Sequence, residues 1–350
     1  FILTGKNNMK SCTVADIYKP SNVISVEAHA SLQDAMKCLA AHKISSCPVL
    51  EKGKPVGWIN WSCMITFLVD RVNAAREIIV QPPTAAMLQE DIAAMYETSG
   101  RHNIKTALGS KYLKKVQTVK ESTYIRRVLN LLRSSHAVAV VDDKGHMLGV
   151  LSQRDLMKYL AENKNRIQPA LRANTIRGLA LANSVVCVRD SEIALDAFYS
   201  LAQAGWGGAG VINGNGTLVG NLSTSDLRLV GDAFDFGLLL KTVGDVVPAQ
   251  KLVTSEATDT LEALIAALAQ GNVHRVFLVD GQSPSAIVTI TDVCRVLFQA
   301  TPKQVKKKDD AKSSGGKGKS FKKHMEKEAS KKGGKNQKKK KKNKNKKKKK

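Results

Sequence analysis

Apolar residues fall along this chain in an order that returns four times. Each round opens on a short apolar strand, at Val23 to Val26, Val116 to Val119, Val185 to Val188 and Leu252 to Thr254. A stretch with helical spacing comes after it, over residues 31–42, 122–135, 192–204 and 261–271. In the second of these, Ile125, Val128, Leu129 and Leu132 recur at three- and four-residue spacing, which places them on one buried face. A second strand comes next, at residues 48–51, 137–142, 209–213 and 275–280. The turns after the first three copies, Glu51 to Lys54, Asp142 to Gly145 and Asn213 to Gly216, are rich in Gly, Asp, Asn and Lys. Gly, Asn and Asp tolerate positive φ, so hairpins are predicted. A third strand and a closing helix complete each unit. The predicted fold is therefore α/β (α+β), a β-α-β-β-α unit repeated four times. One unit cannot bury both faces of so small a sheet, so the units must pair.

The junction between the third strand and the closing helix carries a recurring signature. It reads Ser152-Gln153-Arg154-Asp155, Ser223-Thr224-Ser225-Asp226 and Thr289-Ile290-Thr291-Asp292, with a damaged copy at Asn60-Trp61-Ser62-Cys63. With its preceding strand, Gly149-Val150-Leu151-Ser152-Gln153-Arg154-Asp155 resembles the motif of the CBS domain. The copies from Gly220 and Ala286 depart from it only at Asn221 and at Ala286. Four tandem copies with no enzyme domain attached are similar to the gamma regulatory subunit of AMP-activated protein kinase. His274-Arg275 before an apolar run ending in Asp280, and His42-Lys43-Ile44-Ser45 in the first copy, resemble fragments of the same family.

A hydroxyl and a carboxylate one turn apart at a helix start can serve a nucleoside. The carboxylate accepts two charge-assisted bonds from a ribose diol, and a phosphate favours a helix N-terminus. Asp155, Asp226 and Asp292 are thus candidate ribose ligands, and Ser152, Ser223 and Thr289 candidate partners for ribose or phosphate. The same pair is what a capping box requires, with the hydroxyl bonded to a free helix N–H and the acid to the cap amide. Both readings stand for each copy. The resemblance implies AMP, ADP or ATP as ligand, with His274 and Arg275 on the phosphates. His136 holds the equivalent place in the second copy, where Ala137 replaces the arginine; the third copy has Gly207-Gly208 and no cation. The first has Ser45-Ser46 with His42 and Lys43 nearby. Arg154 lies within a motif and is a further candidate. The site around Asp292, His274 and Arg275 is the best supplied, and the one at Asn60 and Cys63 should be weak. Trp206-Gly207-Gly208-Ala209-Gly210 lacks the Lys-Ser/Thr of a phosphate loop and reads as a place of close packing.

The expected division is residues 12–70, 106–163, 174–232 and 242–300 for the four repeats, paired as two modules, with a helical connector at 71–105. Residues 303–350 hold 24 lysines against four acidic residues and should be disordered. Such a run can bind nucleic acid or serve as a nuclear-import signal, and can equally be a solubilising tail or the product of an A-rich coding stretch. The chain begins at Phe1 rather than Met, without a signal-peptide pattern or an 18-residue apolar run. Six cysteines form no C-x-x-C pair, which fits buried thiols. Cytoplasmic or nuclear residence is expected. No Ser/His/Asp order, metal cluster or Walker loop proposes catalysis. The expectation is a non-catalytic, nucleotide-binding regulator of partner kinase catalytic and scaffold subunits. The alternative is a CBS scaffold whose Lys-rich tail binds a polyanion.

Overall fold

The computed structural model describes residues 11–20, 22–64, 66, 67, 70, 102–105, 109, 113, 115–229, 236–247 and 252–301. The chain divides into two units, Phe1–Gln304 and Val305–Lys350. The second unit carries most of the Lys-rich segment, which lies outside the described residues, as does the connector except near 102–105.

Each repeat builds one three-stranded sheet in which the first strand runs parallel to the second and the second antiparallel to the third. Repeat one comprises β1 (Val26–Glu27), α1 (Leu32–Ala41), β2 (Ser46–Glu51) and β3 (Lys54–Asn60). Repeat two comprises β4 (Thr118–Val119), α2 (Ile125–Leu132), β5 (Ala137–Val141), β6 (Met147–Ser152) and α3 (Gln153–Glu162). Repeat three comprises β7 (Cys187–Arg189), α4 (Ala194–Gln203), β8 (Gly208–Ile212) and β9 (Leu218–Ser223). Repeat four comprises β10 (Thr254–Ser255), α5 (Leu261–Gln270), β11 (Arg275–Asp280), β12 (Ser283–Thr289) and α6 (Ile290–Ala300). The β2–β3 hairpin turns on Lys52 and Gly53, both at positive φ, as a two-residue primed turn requires.

Two elements differ from the expected pattern. The first strands are only two or three residues long and start later than the apolar runs. In repeat three the cause is visible. Asn183, just ahead of the apolar run, exchanges both backbone hydrogen bonds with Ile287 of repeat four, so this approach to the strand pairs with the neighbouring repeat. The closing helix of repeat three begins as a 3-10 turn, Thr224–Leu227. There the Ser223 hydroxyl accepts from the Ser225 amide, and the two hydroxyls lie 2.8 Å apart. A second hydroxyl competing for the cap tightens the turn.

Entry segments are exchanged between consecutive repeats. Residues 12–15 bond to the backbone of residues 121–125 in repeat two, and residues 102–105 bond to residues 28–32 in repeat one. Residues 174–177 dock on repeat four and residues 241–244 on repeat three in the same way. The sheets of consecutive repeats also touch: Trp58 packs with Ala139 and Val141, and the ring of Tyr18 fills the space left by Gly149. The large apolar cores run the other way. One joins repeat one to repeat three, through residues such as Leu39, Met64, Phe198 and Leu201. The other joins repeat two to repeat four, through Leu129, Leu156, Leu264 and Val293. Sheets and exchanged segments therefore bind one to two and three to four, while helices bind one to three and two to four. Among the described residues no helix is long and apolar enough to cross a membrane.

Candidate functional site

The first residue of each second strand pairs with the residue that opens the motif: Ser46 with Asn60, Ala137 with Ser152, Gly208 with Ser223 and Arg275 with Thr289. A further backbone bond closes each junction, from Trp61 to Ser45, Gln153 to His136, Thr224 to Gly207 and Ile290 to His274. These four equivalent junctions converge on one cavity of about 680 Å³. That is within the roughly 300–1,000 Å³ of small-molecule sites.

Of the residues expected to bind ligand, His136, Ser223, His274, Arg275, Thr289 and Asp292 line this cavity. Ser152, Asp155, Asp226, His42, Lys43 and Arg154 do not. His42 and Lys43 lie on the exposed turn after α1, and the His42 ring bonds to the Cys38 carbonyl at 2.9 Å. Asp226 is buried and its carboxylate accepts from the Ser223 amide at 2.8 Å. Sequence reasoning missed Gln153, Asn183, Ser184, Trp206 and Arg295, which also line the cavity. Gln153 had a visible signal, a polar residue where repeat four places apolar Ile290. It is 2% exposed, and its side-chain amide donates to the Leu132 carbonyl at 2.6 Å and to Thr291 Oγ1 at 2.9 Å. It thus ties repeat two to repeat four at the cavity wall.

The motif acids form helix caps. Asp155 Oδ2 accepts from the Ser152 hydroxyl at 2.6 Å and its amide at 2.8 Å, and Asp292 Oδ2 repeats this with Thr289 at 2.6 and 2.9 Å. Ser31 and Asp34 make the same box at α1, outside any motif, so the box alone does not mark a ligand. Asp155→Ala should therefore cost about 1 kcal/mol through lost capping. Urea unfolding checks this, and an unchanged midpoint would sink it. Asp292 differs, because it is 6% exposed, lines the cavity and meets Arg295 at 2.8 Å through Oδ1.

The cationic wall is built across repeats. The Arg275 guanidinium lies over Gly207 and Gly208 and donates to Asn221 Oδ1 at 2.9 Å. The glycine pair is a place of close packing, and what packs there is the arginine of the next repeat. Burial lowers Arg275 to about 10, with Asp226 opposing the shift, so it stays protonated near neutrality. The rings of His136 and His274 lie 5.8 Å apart. Both line the cavity, His274 partly buried and His136 more exposed. Burial first, then Arg154, His136 and Arg275, lowers His274 to about 3; burial and then Arg275 lower His136. Among the described residues His274 Nδ1 has no hydrogen-bond partner.

This neutrality has a consequence for acid stability. The unfolded chain binds a proton at His274 near the ordinary imidazole value, whereas the fold resists it until about pH 3. Stability is then present above about pH 6.5 and falls as pH drops toward 3. His274→Gln should flatten the fall in melting temperature between pH 7 and 5, above the range where carboxylates titrate. An unaltered slope would argue against a neutral buried imidazole.

Residues 14–70, 111–162 and 243–299 match the model of the CBS domain. Repeat three is unmatched but has the same topology, with a glycine pair at its strand entry and a 3-10 turn at its motif. Among solved structures, a protein from Methanocaldococcus jannaschii, proposed as an archaeal homolog of g-AMPK, shares the fold at a TM-score of 0.65 and 16% identity, over 82% of this chain and all of that one. A gamma-like regulatory subunit of SNF1-related protein kinase from Arabidopsis thaliana is 23% identical, covering 79% of this chain and 92% of the relative. Protein SDS23 of Candida albicans is 24% identical over 76% of this chain but 48% of its own length, so the chain spans about half of that relative. Three matched segments, and a fourth repeat of identical strand order, make the chain a tandem CBS-domain protein similar to the gamma subunits of AMP-activated protein kinase.

Proposed function

We propose that the chain is a non-catalytic sensor that binds an adenine nucleotide in the central cavity and regulates a partner kinase. The observation that carries this is the convergence of four equivalent strand-to-helix junctions on one cavity, with Arg275, two neutral histidines and the hydroxyls of Ser223, Thr289 and Thr291 around it. A partly buried guanidinium that donates to a neutral amide, beside an imidazole nitrogen with no partner among the described residues, suits an entering phosphate. The cavity draws on all four repeats, so a ligand that fits one arrangement of them better will shift the whole disposition. A partner that senses the disposition then experiences that difference as coupling. The gamma-like name of the Arabidopsis relative supports a kinase as that partner. Calorimetric titration of the full chain with AMP and ATP should give saturable binding at micromolar levels or tighter, about −8 kcal/mol or more. The reading falls if the folded protein takes up neither nucleotide.

A further inference from the structure

We propose that Trp206 is the platform on which the base of the bound nucleotide stacks, and hence the residue that makes the cavity read a base rather than an anion alone. This rests on the nucleotide reading above. Tryptophan is highly buried on average, yet Trp206 is 49% exposed and lines the cavity. Trp61, which lines it too, is 3% exposed and is fixed by its indole N–H to the Ile44 carbonyl at 3.2 Å. Trp206 is thus the open one of the two tryptophans in that wall. Its backbone is held in place: α4 ends on Gly205 at φ +70°, and the Trp206 amide then donates to the Leu201 carbonyl at 2.9 Å.

The two glycines next to Trp206 in the chain define the ligand further. Gly207 and Gly208 carry the Arg275 guanidinium, with Nη2 3.1 Å from where a Gly207 Cβ would lie. An aromatic face and a cation are therefore set next to one another at one strand entry, one for a planar ring and one for an anion. Val186, Ala202 and Ile287, from the same two repeats, add apolar lining. A base joined through a sugar to a phosphate meets both requirements, whereas a sugar phosphate or a free phosphate meets only the second. Base–aromatic stacking tolerates any base, so the platform adds affinity for nucleotides as a class.

The test titrates the full chain with AMP, ribose 5-phosphate and inorganic phosphate, in wild type, Trp206→Ala and Trp206→Phe. Trp206→Ala should weaken AMP binding about ten- to a hundredfold. It should leave the affinity for ribose 5-phosphate unchanged, and Trp206→Phe should recover most of the loss. AMP should also quench tryptophan emission more strongly in the wild type than in Trp206→Phe, where Trp61 still lines the cavity. Equal AMP affinity in wild type and Trp206→Ala overturns the stacking role while leaving nucleotide binding intact. An equal loss for AMP and ribose 5-phosphate also overturns it, because the tryptophan would then act only as cavity wall. Failure of the wild type to bind AMP at all overturns the nucleotide reading and this inference with it.

Discussion

Arg275→Ala is expected to weaken AMP binding about thirty- to several-thousandfold and to lower the stability of the apo protein. Truncating one partner of a buried, hydrogen-bonded charge pair costs about 2–5 kcal/mol, most of it from the charge left behind. In the complex that charge would be the phosphate. In the apo protein the charged neighbour is Asp226. The guanidinium is partly buried, its pKa is lowered by burial against the opposing pull of Asp226, and it donates a hydrogen bond to Asn221 Oδ1. Removing it takes the compensating charge of Arg275 away from the buried Asp226 carboxylate, which costs stability. Affinity and melting temperature should therefore both fall, the first through the phosphate and the second through Asp226. Arg275→Lys keeps the charge but loses the planar fork that meets a phosphate with two donors, and should fall between. Unchanged AMP affinity in Arg275→Ala would remove the cationic wall from the account, whatever happened to stability.

The repeats were legible in the sequence because their determinants are local. Helical spacing in Ile125, Val128, Leu129 and Leu132 and the turn at Lys52-Gly53 each act within a few residues, and each produced the expected element. Glycine at 149 belonged to a motif whose reason emerged only in three dimensions, as room for Tyr18 from another segment. The relations between repeats were not legible, because they join residues far apart in sequence. Nothing in residues 12–15 tells that they bond to repeat two, or that the apolar faces of repeat one seek repeat three. The candidate site divides along the same line. Arg275 and His274 were expected from the family resemblance, and both line the cavity. Trp206 and Gln153 were not, since what matters for them is the repeat they face. The hydroxyl–carboxylate pairs could not be resolved from sequence at all, as one geometry serves both a cap and a ribose.

Glycine at 208 illustrates how such a non-local relation can be tested. Gly208→Ala is expected to destabilise the protein by about 3 kcal/mol or more, at the upper end of what overpacking costs. A Cβ there would fall on Arg275 Nη1 and on the Leu222 carbonyl oxygen, closer than side chains ever approach. The arginine can swing away, but the carbonyl belongs to β9, the strand paired with β8 through Gly208 and Ser223, and can move only with it. Gly207→Ala is the control. Its Cβ would meet only the flexible end of Arg275, at 3.1 Å, and the cost should be well under about 1 kcal/mol. Repeat two carries Ala137 at the place of Gly208, so the position as such accepts a methyl group. The requirement for glycine in repeat three comes from the arginine of repeat four and the local approach of β9. Denaturant unfolding of Gly208→Ala, Gly207→Ala and the double variant Gly208→Ala with Arg275→Ala separates the two parts. The double variant should recover only the share due to the arginine. Equal midpoints for the two single variants would mean that Gly208 and Arg275 are neighbours without being coupled, and the cross-repeat construction of the cationic wall would have to be abandoned.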